Sequence, residues 1–157
     1  MKKFKLTSEF IVDISGVKLF RIKALIEFGN VKAGDLGGYI EKEENLSHMG
    51  NAWVSGNAQV FGDARVFGNA WVSGDAWVSG NAQVSGDKDY AYAHGFGSCN
   101  RTTTFFRLKD GDVGVRCGCF YGTLAQFRDN VCETHGETKK AQEYLMLADL
   151  MDFRFKN

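Results

Sequence analysis

Between Gly50 and Ser85 the hydrophobic and polar positions recur every six residues, as GNAWVS, GNAQVF, GDARVF, GNAWVS, GDAWVS and GNAQVS. In each copy a branched Val is followed four positions later by a small Ala. Both are set to point inward, and the Gly-Asn or Gly-Asp pair between them tolerates positive φ and turns the chain. Tandem repetition of this kind signals one structural unit stacked on itself. Three flat sides close a triangle, so eighteen residues complete a coil. Vertical neighbours then lie one strand spacing apart, about 4.8 Å. That period puts Trp53 under Trp71, Gln59 under Trp77 and Arg65 under Gln83. It also sets Asn57 under Asp75 and Asp63 under Asn81, and no Asp falls on another, which like-charge repulsion at that spacing favours. Weaker rungs extend the pattern through 44–49 and 86–91.

The flanks follow other periods. Residues 4–28 alternate with a period near two about a Ser15-Gly16 turn, the pattern of a β-hairpin. The glycines of 29–40 suit a tight lead-in to the first coil. After the repeat, 102–108 and 113–120 read as two strands around the Lys109-Asp110-Gly111-Asp112 turn. Thr123 and Gln126 make a capping box that opens a helix, with Leu124, Phe127 and Val131 as its buried stripe and Gly136 at its end. A second helix over 138–153 carries Ala141, Tyr144, Leu145, Ala148 and Met151 on one face.

The repeat resembles the left-handed parallel β-helix of the hexapeptide-repeat family. The lead-in followed by GNA-x-V copies is similar, over residues 4–90, to small hexapeptide-repeat proteins common in phages and prophages. Gly118-Cys119-Phe120-Tyr121-Gly122-Thr123 looks like the Gly-Cys-Phe-x-Gly-Thr phrase that follows such repeats, a phrase that carries no activity with it. The fold this implies is mainly β: a short left-handed parallel β-helix capped by an N-terminal β-hairpin and a C-terminal ββαα module. The corresponding division is 1–43 for the hairpin cap and lead-in, 44–97 for the solenoid and 98–157 for the C-terminal module.

Charge narrows the partners. Basic and acidic residues balance at 19 each, and 1–49, 50–97 and 98–157 hold 8 against 7, 2 against 4 and 9 against 8. No segment is a polybasic arm, which argues against bulk nucleic acid and against an anionic membrane. One anionic small molecule held by a few arginines remains compatible with this balance. Met1-Lys2-Lys3 leads into no apolar run, and no stretch is long enough to span a bilayer. Four cysteines without an export signal read as reduced thiols, so the expected place is the cytoplasm, that of the bacterial host.

Three sets of residues carry candidate chemistry. Trp53, Trp71 and Trp77 precede the inward Val and should point away from the coil axis, and Phe61 and Phe67 follow it at the outside or the corners. So much aromatic surface is covered by a second copy or a flank, or it stacks on a planar ligand such as a nucleobase. These five residues are therefore candidates both for an oligomer interface, most simply a trimer, and for a ligand site. Arg101, Arg107 and Arg116 lie near the Gly95-Phe96-Gly97-Ser98 loop, and bidentate forks beside free loop N–H groups suit phosphate. The alternative for these arginines is a solvated strand face. Cys99, Cys117, Cys119, Cys132 and His135 form no standard zinc pairing, and the Val113, Val115, Cys117, Cys119 alternation favours buried thiols. No metal, cofactor or catalytic set is expected.

The resemblance frames three functions. The first is a non-catalytic oligomeric binding protein of the phage type, countering host defence by sequestering a signalling nucleotide or blocking a host protein. The second is an acyl-CoA-dependent acyltransferase, which many hexapeptide-repeat proteins are; it needs a His base on a coil, and here His48 and His94 sit only at the ends of the repeat. The third is a passive assembly module.

Overall fold

The computed structural model describes residues 2–13, 16–96, 101–117 and 120–156, with Asp87 and Arg101 described in their backbone alone. Three strands precede the repeat: β1 (Phe4–Val12), β2 (Lys18–Ala24) and β3 (Leu36–Ile40). The repeat forms six two-residue strands: β4 (Trp53–Val54), β5 (Gln59–Val60), β6 (Arg65–Val66), β7 (Trp71–Val72), β8 (Trp77–Val78) and β9 (Gln83–Val84). Then come β10 (Tyr90–Phe96), β11 (Arg101–Arg107), β12 (Val113–Cys117), β13 (Phe120–Thr123), α1 (Leu124–His135) and α2 (Lys139–Phe155).

Within the repeat the register is the one its period predicts. Trp53 pairs with Trp71, Gln59 with Trp77 and Arg65 with Gln83, each in parallel. Every Ala and Val from Ala52 to Val84 is at most 1 % exposed, and together they make the main core. The glycines Gly50, Gly56, Gly62, Gly68, Gly74 and Gly80 all take positive φ, which is why the turn position is Gly in every copy.

The expected architecture is corrected. The chain does not form a short left-handed parallel β-helix closed by a hairpin and a ββαα cap. It forms several small sheets. β1, β2, β3, β5 and β8 make one mixed sheet in that order, antiparallel up to β3 and parallel beyond it. β4 with β7 and β6 with β9 make two-stranded sheets, and β10 to β13 make an antiparallel sheet of four. The physical reason is edge satisfaction. Two-residue strands stacked only two deep leave open edges on every side, and an open edge accepts whatever partner reaches it.

Each edge of the repeat is closed by a flank rather than by a further copy. β3 takes the edge of β5, which the glycines allow: a Cβ on Gly37 would come within 2.7 Å of the Val54 carbonyl, Ile22 and Trp53. The Lys3 ammonium donates to the carbonyls of Ala52 at 2.6 Å and Gly50 at 3.4 Å. The Asn45 amide donates to the carbonyls of Gly62 and Ala64, while its oxygen accepts from the Glu41 and Lys42 N–H groups. At the far end the Tyr90 hydroxyl donates to the Trp71 carbonyl at 2.6 Å, the Trp77 N–H donates to Thr104 Oγ1 at 2.9 Å, and the Lys109 N–H donates to the Asn81 carbonyl at 3.0 Å.

The described residues of 98–157 form three strands, where two are expected from sequence, and β10, from the stretch assigned to the solenoid, is the fourth strand of their sheet. Residues 86–91 do not continue the repeat: after a short 3-10 turn the chain enters β10, which pairs antiparallel with β11. β13 adds to β12. The helices fall where capping predicts. Thr123 and Gln126 close the box on α1, Gly136 ends it at φ 60°, and Thr138 caps α2. Their buried faces cover Phe105, Val113, Val115 and Cys117, one side of the sheet, and the other side packs on the repeat.

Candidate functional site

The mixed sheet carries a row of larger side chains on its outer face. Arg21 is registered with Tyr39, Tyr39 with Gln59, and Gln59 with Trp77, so these side chains are lateral neighbours. Arg21 at one end is fully engaged: it donates to Glu9 at 2.7 Å, to the Gly37 carbonyl at 2.8 Å and to the Tyr39 hydroxyl at 2.6 Å. At the other end Trp77 packs with Leu19, Tyr39 and Phe61.

Over this end lies Arg116. On β12, alternation sends Val113, Val115 and Cys117 toward the helices, and Gly114 and Arg116 toward the repeat. The guanidinium carbon sits 5.2 Å from the Phe61 ring centroid and 5.8 Å from that of Trp77. Arg116 is 8 % exposed, its Nε has no hydrogen-bond partner, and no carboxylate among the described residues pairs with it. Two further buried polar atoms without partners belong to the same neighbourhood. Gln59 Oε1 is on the residue registered with Trp77, and Ser79 Oγ is on the residue eighteen after Phe61. Tyr121, cross-strand from Arg116, would meet a Cβ on Gly80.

The energetics of Arg116 differ from those of Arg21. Withdrawing a charged group from water costs on the order of several kcal/mol. Aromatic faces return about 2 kcal/mol when the cation is desolvated. Charge-assisted, bidentate bonds to phosphate or carboxylate are the geometry this side chain is built for.

The other candidates differ in their surroundings. Trp53 is 2 % exposed, edge-on to Phe28 at 5.3 Å, and so is covered by the N-terminal flank. Phe61 is buried under the C-terminal sheet. Trp71 and Trp77 are half-buried. Phe67, 37 % exposed, borders an open groove of about 460 Å³ with Glu43, Ser47, His48 and Arg65. Arg107 is on the opposite face of the sheet from Arg116. It donates to Asp89 at 3.0 Å and to the Phe155 carbonyl at 3.3 Å, so it joins β11 to α2. Burial pushes the Asp89 carboxyl up, but the bonds from the Ser85 N–H and hydroxyl and from Arg107 outweigh it and hold the carboxyl below its ordinary range. Arg107 and Arg116 thus lie on opposite faces of the sheet. Ser98 and the side chain of Arg101 lie outside the described residues.

The remaining chemistry is structural in its contacts. Cys117 Sγ accepts from Thr103 Oγ1 at 3.2 Å and lies 3.8 Å from the Tyr144 hydroxyl, while Cys132 is exposed on α1. Cys99 and Cys119 lie outside the described residues, and among the described residues no three potential ligands gather for a metal. His48 stacks on Phe4 at 4.2 Å, and its Nδ1 accepts the Lys3 N–H at 3.0 Å. That bond occupies the lone pair a general base would use and leaves the proton on Nε2, 3.8 Å from Glu43. The Lys2 ammonium, bonded to Glu43 at 3.0 Å, holds that carboxyl below its ordinary range. His94 pairs with Thr102 at 2.7 Å.

Gln59 and Ser79 escape sequence reasoning, because a variable or Ser position of the repeat looks the same in every copy, and Tyr121 escapes it because its cross-strand place beside Arg116 depends on the β12–β13 pairing. No family model matches this chain, and no curated protein matches it. The likeness to hexapeptide-repeat proteins therefore rests on the repeat residues themselves. Among the described residues no helix is long and apolar enough to cross a membrane.

Proposed function

We propose that this chain is a non-catalytic, oligomeric binding protein of the phage type that captures a planar anionic ligand, a signalling nucleotide, in the contest with a bacterial host. The single observation that supports this most is Arg116: a buried guanidinium held over two aromatic rings, with no acid paired to it among the described residues. A base stacks on aromatic surface, and phosphate takes the fork of an arginine. The phage setting comes from the resemblance over residues 4–90. Acyl transfer has less support, because the Nδ1 of His48 is already an acceptor for the Lys3 N–H.

Isothermal titration of the full chain against a panel of cyclic and ADP-ribose-type nucleotides tests the reading. Heat with one member, lost in Arg116→Met, is the expected result. Heat that persists unchanged in Arg116→Met would move the site elsewhere. Silence across the panel removes nucleotide sequestration and leaves the blocking of a host protein.

A further inference from the structure

Helix α2 buries one face against the C-terminal sheet and carries a second apolar line on the other side. Met146, Leu150 and Phe153 are 70 %, 54 % and 77 % exposed. Their spacing of four and three residues sets them one above another along the helix. Large apolar side chains aligned on a surface mark a site of association. The aromatic faces of the repeat do not serve that purpose for Trp53 and Phe61, which the flanks of the same chain already cover.

The flanking charges select the occupant. Glu143 stands seven residues before Leu150, and Lys156 six residues after it. Two copies of α2 crossing antiparallel about Leu150 set Phe153 of one against the partner's Met146, a favourable sulfur–aromatic contact. The same crossing sets Glu143 near the end of the partner helix, where the C-cap residue Lys156 has only a long ion pair of its own, to Asp152 at 3.7 Å. A parallel crossing would instead stack like charge on like at both ends. Nearest the crossing point, Asp149 is already matched by Arg128 at 2.8 Å, so two such acids approach without an uncompensated charge.

We infer that the Met146–Leu150–Phe153 line of α2 is a self-association surface, and that a second copy of this chain docks on it as a closed, two-fold, antiparallel helix pair. The surface is independent of the ligand reading and stands or falls apart from it.

Sedimentation velocity of the full chain across a dilution series tests the inference. The expected result is a monomer–dimer equilibrium in which Leu150→Glu weakens association by roughly tenfold or more. Circular dichroism stays unchanged, and so does the melting curve at a dilution where both chains are monomeric, because the side chain is exposed. Phe153→Lys gives a second, independent disruption should Leu150→Glu fail to fold. Glu143→Lys alone weakens the dimer, and adding Lys156→Glu restores it. A monomer at every concentration, a trimer or larger species, a dimer indifferent to both disruptions, or a charge swap that does not restore would each overturn it.

Discussion

The guanidinium of Arg116, on β12, lies 5.2 Å from the ring centroid of Phe61, a residue of the repeat. The pair joins the two halves of the molecule through a charge that no acid of the described chain balances. The charge faces two aromatic rings, Phe61 and Trp77, at the seam between the repeat and the C-terminal sheet.

The buried Lys3 makes folding stability depend on pH. Burial lowers its pKa from 10.5 to about 8. Below pH 8 the folded and unfolded chains both carry the proton, and the cost of burying the charge is present in full. Between about pH 8 and 10.5 the unfolded chain holds a proton that the folded chain has released, so this group makes the unfolding free energy rise with pH. Denaturant titrations at several pH values should show that rise in the native chain and lose it in Lys3→Met.

Gly37 is where β3 meets the repeat. Its missing Cβ leaves room that the Val54 carbonyl, Ile22 and Trp53 occupy. Gly37→Ala should destabilise the fold by about 1–3 kcal/mol through overpacking. The emission of Trp53 should shift toward that of a wetter indole. A change below a few tenths of a kcal/mol would mean that β3 does not hold this edge.

Asn45 closes the edge of β6 with four hydrogen bonds, two given and two received. Asn45→Ala leaves those buried groups without partners and should cost about 2–3 kcal/mol, measured as a fall in the unfolding midpoint. Asn45→Asp should cost more than Asn45→Ala, since it sets a carboxylate against the carbonyls of Gly62 and Ala64.

The repeat was legible because its period is a packing rule. Val and Ala must face inward for any stacking to bury them, and that alone sets Trp53 on Trp71 and Arg65 on Gln83. The sheets were not legible. Nothing local tells β3 to pair with β5 rather than to lead into a coil, because an open edge constrains hydrogen bonding and not residue type. β10 was hidden for a related reason: residues 86–91 look like fading copies, while the partners of Tyr90 and Ala91 are Phe106 and Phe105 in β11. The need to cover the large rings was readable from their number, and of the covers expected it is a flank that Trp53 and Phe61 have. Arg116 stood in the candidate set with Arg107, and alternation along paired strands put the two on opposite faces. Strand boundaries known to one residue would have separated them.

The account turns on Arg116 being held for a ligand rather than for the fold, and equilibrium unfolding of ligand-free Arg116→Met measures that directly. The substitution keeps an apolar stem over Phe61 and Trp77 and removes the unbalanced charge. The predicted result is a chain more stable than the native one by about 1 kcal/mol or more, as when unneeded buried charge is replaced by a hydrophobe. A loss of stability of similar size would show that the guanidinium serves the folded structure itself, and would contradict the account.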